Sequence, residues 1–259
     1  MLKRKQKNET ASEDKKPSAQ KENLSVLFWA LLMAFILRTF IYQPFHIPSE
    51  SMQPNLVKGD YIITSKFSLG YGQLAAEPLP FPVKKGRLFE RSPERGDVIV
   101  FRAIGNNTNL IKRLVGLPGD QLQMIGGRLH VNGQKNKIED LGKEIRFDSY
   151  GDEDETNVLL ETLPDGHSQR IYDDVKNSRL DNTTVYTVPS GHYFFMGDNR
   201  DHSGDSRIAA QNGGAGFVPV ENLIGRADFI LASGTPKFSI IKPWTWLSLR
   251  KGRFFKRIE

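Results

Sequence analysis

The run LSVLFWALLMAFILRTFIYQPF, Leu24 to Phe45, constrains this chain more than any other feature. Apart from Ser25, Arg38, Thr39 and Gln43 it is apolar up to Pro44. At a rise of about 1.5 Å per residue, roughly 20 helical residues span the ~30 Å hydrocarbon core of a bilayer. Residues 24–44 are therefore expected to form one transmembrane anchor. Arg38 sits near the end of the run, where a long cationic side chain can reach the interface, and Trp29, Tyr42 and Phe45 suit interfacial belts. A cleaved leader and a buried soluble helix are the alternatives. Against cleavage, the run ends in FIYQPF rather than in small residues spaced for processing.

What precedes the run orients it. Residues 1–23 are polar, Lys-rich and without apolar periodicity, the composition of a solvated, disordered tail. Lys3, Arg4, Lys5, Lys7, Lys15, Lys16 and Lys21 lie there. By the positive-inside rule the amino terminus faces the cytoplasm, and everything after Phe45 lies on the extracytoplasmic side of the inner membrane.

The remainder reads as short strands between turn signals, so the expected fold is mainly β, with antiparallel sheets. DVIVFR (97–102), LIKRLVG (110–116) and ADFILAS (227–233) have strand character, and Gly126-Gly127 and Asn132-Gly133 mark two hairpin turns. Residues 45–135 and 183–235 are assigned to the main β domain. The acidic stretch 136–182, with GDEDET, is expected to be an inserted subdomain away from the chemistry. Residues 236–259 interleave Trp244, Trp246, Phe254 and Phe255 with Lys and Arg. Such a pattern binds single-stranded nucleic acid or an anionic bilayer, and beside a membrane anchor the lipid surface is the better match.

The net charge of +6 falls mostly at the two ends. With no cysteine in the chain, disulfides, thiolate catalysis and cysteine-bound zinc are excluded. No Gly-rich phosphate loop, HExxH pair or G-x-S-x-G elbow occurs, and the five histidines are scattered, so neither a metal nor a cofactor is expected.

Two serines, Ser49 and Ser51, follow the anchor in FHIPSESMQPNL. A serine hydroxyl needs a base to become a nucleophile. His202, oriented by Asp201 or Asp205, is one candidate. The other is a lysine desolvated in apolar surroundings, where it loses its proton more easily. Lys112 meets that condition, because strand alternation puts it on one face with Leu110 and Leu114, and Arg113 on the other with Ile111 and Val115. One of these two charges needs a partner or a task. The dense run MGDNRDHSGDSR, Met196 to Arg207, is either a self-capping polar turn or part of the same site.

Five blocks, PSESMQPNL, GDVIVFR, LIKRLVGLPGD, MGDNRDHSGDSR and GFVPVENLIGRA, stand in the order and approximate spacing of those in bacterial type I signal peptidases. Together, after an amino-terminal anchor, they give a resemblance that covers about residues 24–232. It implies a membrane-bound serine endopeptidase that cleaves signal peptides from exported preproteins, with small residues one and three positions before the cut. Its partners would be signal peptides and phospholipid, not nucleic acid. The resemblance also implies Ser51 as nucleophile and Lys112 as general base, with Ser49 and the Ser51 N–H as the oxyanion hole. Ser203 would hydrogen-bond the lysine, Asp205 and Arg207 would brace Ser203, and Met52 would help line the substrate pockets. Two positions depart from the family pattern: Glu50 stands where Gly is common, and Asn55 where Thr is usual. Neither touches a proton-transfer group. A related Ser–Lys peptidase with other substrates, such as a pilus maturation protease, and an anchored β-rich scaffold remain as rivals. A self-cleaving repressor would need a helix-turn-helix that the first 45 residues lack.

Overall fold

The computed structural model describes residues 19–74, 83, 86–147, 153–235, 238 and 242–259. They divide into two compact units, one through Leu37 and one from Arg38 to Glu259.

The first unit holds α1 (Ala19–Ile36). Leu24, Leu27, Phe28, Trp29 and Leu31 are all exposed, so this helix is apolar all round rather than on one stripe. Together with the π-type turn Leu37–Ile41 it supplies a 19-residue apolar span, Asn23–Ile41, with a mean hydropathy of 2.2, long enough to cross a bilayer. The solvated tail expected over 1–23 lies outside the described residues up to residue 18, and Ala19–Asn23 is already helical. At the other end the helix stops before the expected 44. Proline removes a helix donor and clashes with the preceding turn, and here Pro44 sits in an edge strand instead.

That strand is β1 (Tyr42–His46), the first strand of the second unit. In chain order there follow β2 (Asp60–Ser65), β3 (Val98–Arg102), β4 (Asn109–Gly116), β5 (Gln121–Ile125), β6 (Arg128–Val131) and β7 (Gln134–Lys135). Next come β8 (Lys137–Phe147), β9 (Glu153–Thr162), β10 (Ser168–Tyr172), β11 (Tyr186–Thr187) and β12 (His192–Met196). The last are β13 (Val218–Pro219), β14 (Leu223–Ser233) and β15 (Lys256–Arg257). Every pairing among these named strands is antiparallel.

The main sheet runs β1-β2-β14-β3-β4-β12-β13, with β15 added to β14. Bulges let β14 pair with β3 through its first half and with β15 further on, while β2 follows its other edge. A second sheet, β11-β5-β6-β7, contains both expected hairpins: Ile125 faces Arg128 across Gly126-Gly127, and Val131 faces Gln134 across Asn132-Gly133. All four turn residues have positive φ, as a two-residue turn matched to strand twist requires.

The acidic stretch forms a third sheet, β10-β9-β8, inside the same compact unit. It is tied to the main domain by a buried pair between Arg200 and Glu161 and by the Tyr172 N–H on Asp198 O at 2.9 Å. The carboxyl segment is also woven in. Arg253 Nε donates to Asp60 Oδ1 at 3.1 Å, and Arg250 Nη1 donates to Lys58 O at 2.9 Å. Trp244, Phe254 and Phe255 remain exposed.

Candidate active site

Ser51 lies in the connection between β1 and β2, in a helical turn closed by Gln53 N–H on Glu50 O and Leu56 N–H on Met52 O. The apolar side chains of this turn fix it to the sheet: Met52 and Leu56 are fully buried with Ile47, Ile62, Val98, Val100 and Ile111. Met52 is expected from the resemblance to help line the substrate pockets, but its side chain is 0% exposed and packs into the core. Its length instead fills the core beneath the turn and holds Ser51 up from below.

Lys112 arrives from β4. Ile99 faces it across the ladder, Leu110 and Leu114 flank it on its own strand, and it is 4% exposed. Its Nζ donates to Ser51 Oγ at 2.6 Å and to Ile111 O at 3.0 Å. Burial disfavours the ammonium and lowers the pKa from 10.5 to about 8, against the carboxylates of Asp205 and Asp198, which raise it. Lys112 is therefore about half neutral near pH 8, where an ordinary lysine is almost wholly charged, and a neutral amine in contact with a serine hydroxyl can take its proton. Ser49 Oγ is 3.3 Å from Ser51 Oγ. Among the described residues nothing accepts from the Ser51 backbone N–H, which leaves it available to a ligand.

The second charge on β4 has a partner. Arg113 is 1% exposed and donates from Nε and Nη2 to the two carboxylate oxygens of Asp198, each at 2.8 Å. The strand's two opposed faces thus carry two buried cations, one neutralised by an ion pair and one set against a hydroxyl.

The MGDNRDHSGDSR run wraps around this pair. Asn199 N–H donates to Ser51 O at 3.1 Å, and its side-chain amide donates to Glu50 O at 3.3 Å. Arg207 holds Asp205 through Nε–Oδ1 at 2.9 Å and Nη2–Oδ2 at 2.8 Å. Burial works against the Asp205 carboxylate, but Arg207 and the Gly197 N–H outweigh it and keep its pKa below the ordinary value. Ser203 differs from expectation. Its Oγ is buried beside Asp205, close enough to help keep that group ionised, yet among the described residues it has no hydrogen bond of normal geometry, to Lys112 or to any other group. The lysine's donors go to Ser51 and Ile111 instead. His202, the alternative base, is exposed, and no hydrogen bond joins it to Ser51 among the described residues.

For a metal, Asp173, Asp181 and Asp201 have carboxylate oxygens within 4.8 Å of one another. Each already has donors: Arg128 on Asp173, Ser178 on Asp181, and the Asp174 and Val175 N–H groups on Asp201. The residues missed by sequence reasoning are Asp198 and Asn199. Both stood in a quoted block, but no local pattern reveals that Asp198 is the partner of Arg113 or that Asn199 holds Ser51.

Comparison with known proteins places this chain among proteolytic enzymes. The family described as signal peptidase, peptidase S26, matches residues 20–232. The chain is 37% identical to signal peptidase I of Rickettsia typhi, covering 92% of this chain and 94% of that protein. It is likewise 37% identical to signal peptidase I of Rickettsia akari, over 93% of this chain and 94% of the other. A crystal structure of a signal peptidase I from Enterococcus faecalis V583 is 26% identical, covers 52% of this chain and 97% of that one, and superposes with a TM-score of 0.31.

Proposed function

Because the chain belongs to the signal peptidase family S26 and is a serine endopeptidase of signal-peptide processing, we propose that it cuts with Ser51 as nucleophile and Lys112 as general base. The observation that carries this reading is the 2.6 Å contact between Lys112 Nζ and Ser51 Oγ, with both side chains buried. Lys112, neutral, takes the Ser51 proton as Oγ attacks the scissile carbonyl carbon. The Ser51 N–H and the Ser49 hydroxyl stabilise the oxyanion that forms. Lys112 returns the proton to the leaving amine, which departs with the mature protein. The same lysine then deprotonates a water that attacks the acyl-enzyme, and Oγ is released with its proton. Asp205 and Arg207 support the loop that bears Ser203.

The substrates are signal peptides with small residues one and three positions before the cut, docked as an added β-strand. The apolar amino-terminal helix anchors the enzyme in the inner membrane with its amino terminus in the cytoplasm, so the site faces the periplasmic side where a preprotein's cleavage site emerges. Anchoring raises effective concentration without any further contact. The exposed Trp244, Phe254 and Phe255, interleaved with Lys and Arg, suit contact with an anionic lipid surface.

The test is cleavage of a secretory preprotein by detergent-solubilised enzyme. Ser51→Ala and Lys112→Ala, each confirmed folded, are expected to lose at least ~1,000-fold in kcat. Cleavage unchanged in either overturns the dyad.

A further inference from the structure

Asn55 stands where the family usually has threonine, and its amide does what a threonine hydroxyl cannot. Nδ2 donates to Asp198 Oδ2 at 2.7 Å and to Arg170 O on β10, also at 2.7 Å. The backbone oxygen of the same residue accepts from Arg253 Nη2 at 2.9 Å. Three separate parts of the chain therefore converge on one residue of the Ser51 turn: the Asp198 loop, the third sheet and the carboxyl segment.

Asp198 gives this convergence its consequence. Its carboxylate is held on one side by Arg113, the neighbour of Lys112, and on the other by Asn55, four residues after Ser51. The next residue, Asn199, grips Ser51 O and Glu50 O. A closed path runs from Ser51 through the turn to Asn55, across Asp198 to Arg113, and along β4 to Lys112. The 2.6 Å contact between Lys112 and Ser51 closes it. Two side chains from different elements keep such a distance only if their backbones are locked to each other, and a displacement of about 1 Å can cost ~100-fold in rate.

We propose that Asn55 is a positioning residue: its side-chain amide clamps the Ser51 turn onto Asp198 and β10 and so sets the Ser51–Lys112 distance. This inference rests on the dyad reading and deepens it.

The test compares full-length, detergent-solubilised wild type with Asn55→Ala, Asn55→Ser and Ser51→Ala. Steady-state kcat and KM for a preprotein are measured, together with the folded fraction from urea unfolding. Both Asn55 variants are expected to lose about 10- to 100-fold in kcat per folded molecule, with KM within about threefold. Asn55→Ala combined with Asp198→Asn is expected to be no worse than the poorer single variant, because both remove one clamp. If Asn55→Ala does not fold, Asn55→Ser, which keeps a small polar group but cannot span both partners, gives the same reading. A kcat per folded molecule within about twofold of wild type, while Ser51→Ala is inactive, overturns the clamp and leaves the dyad standing. Cleavage by Ser51→Ala removes the dyad and the clamp together.

Discussion

A Cβ added to Gly197 would stand 2.3 Å from Ser203 Oγ and 2.5 Å from Ser51 O. Its backbone φ is ordinary, so the demand for glycine is one of space: the loop must pass directly against the carbonyl of Ser51. Gly197→Ala is therefore expected to push Ser51 away from Lys112 and to lower kcat by at least ~10-fold, with a destabilisation of about 1–3 kcal/mol. Parallel kcat and urea-unfolding measurements check both effects. At this scale Ser51 and Lys112 stand in contact, and only the resemblance, not the residues read by themselves, connected them. Strand alternation said that one of Lys112 and Arg113 needs a partner or a task; it could not show that Lys112 meets a serine 61 positions earlier. The resemblance misplaced Met52, because a methionine beside a reactive serine fits a pocket wall and a core anchor equally well until burial is known. It also could not foresee Asn55 meeting Asp198, 143 positions away.

Among the elements, those defined by local chemistry were legible. The Gly-Gly and Asn-Gly hairpins fell where positive φ is required, and the apolar strands β3, β4 and β14 formed the centre of the main sheet. Less legible was the end of the apolar run. Tyr42–Phe45 continues the apolar run in sequence, but Pro44 and the antiparallel pairing of Tyr42–His46 with β2 make this segment an edge strand. Least legible was the acidic stretch, whose charges suggested an inserted subdomain away from the chemistry. Glu161 on β9 is in fact 0% exposed, paired with the buried Arg200 and bonded by Gln169 Nε2 at 2.9 Å. The third sheet thus holds the loop that contains Asp198 and Asn199. Glu161→Gln leaves Arg200 as an uncompensated buried cation, and the expected cost is about 3–5 kcal/mol. Urea unfolding of the full chain measures it, and a loss below ~1 kcal/mol contradicts a structural role for the pair.

Over the whole molecule, the ionisation of Lys112 is a collective property. Its desolvation comes from β3, β4 and the Ser51 turn, while the opposing carboxylates Asp198 and Asp205 come from a loop about 90 positions later in the chain. Neither strand propensity nor charge pattern contains that balance; it exists only once the main sheet closes over the turn. Burial favours the neutral amine, so its pKa is lowered, and the base becomes available as pH rises through that value. The most direct test is the pH dependence of kcat/KM for preprotein cleavage by the anchored enzyme in detergent, which reports the base in the free enzyme. The account predicts activity that rises with pH and is half-maximal near the Lys112 pKa of about 8. A midpoint near ~6.5, the ordinary histidine range, or a profile flat through this region would contradict it.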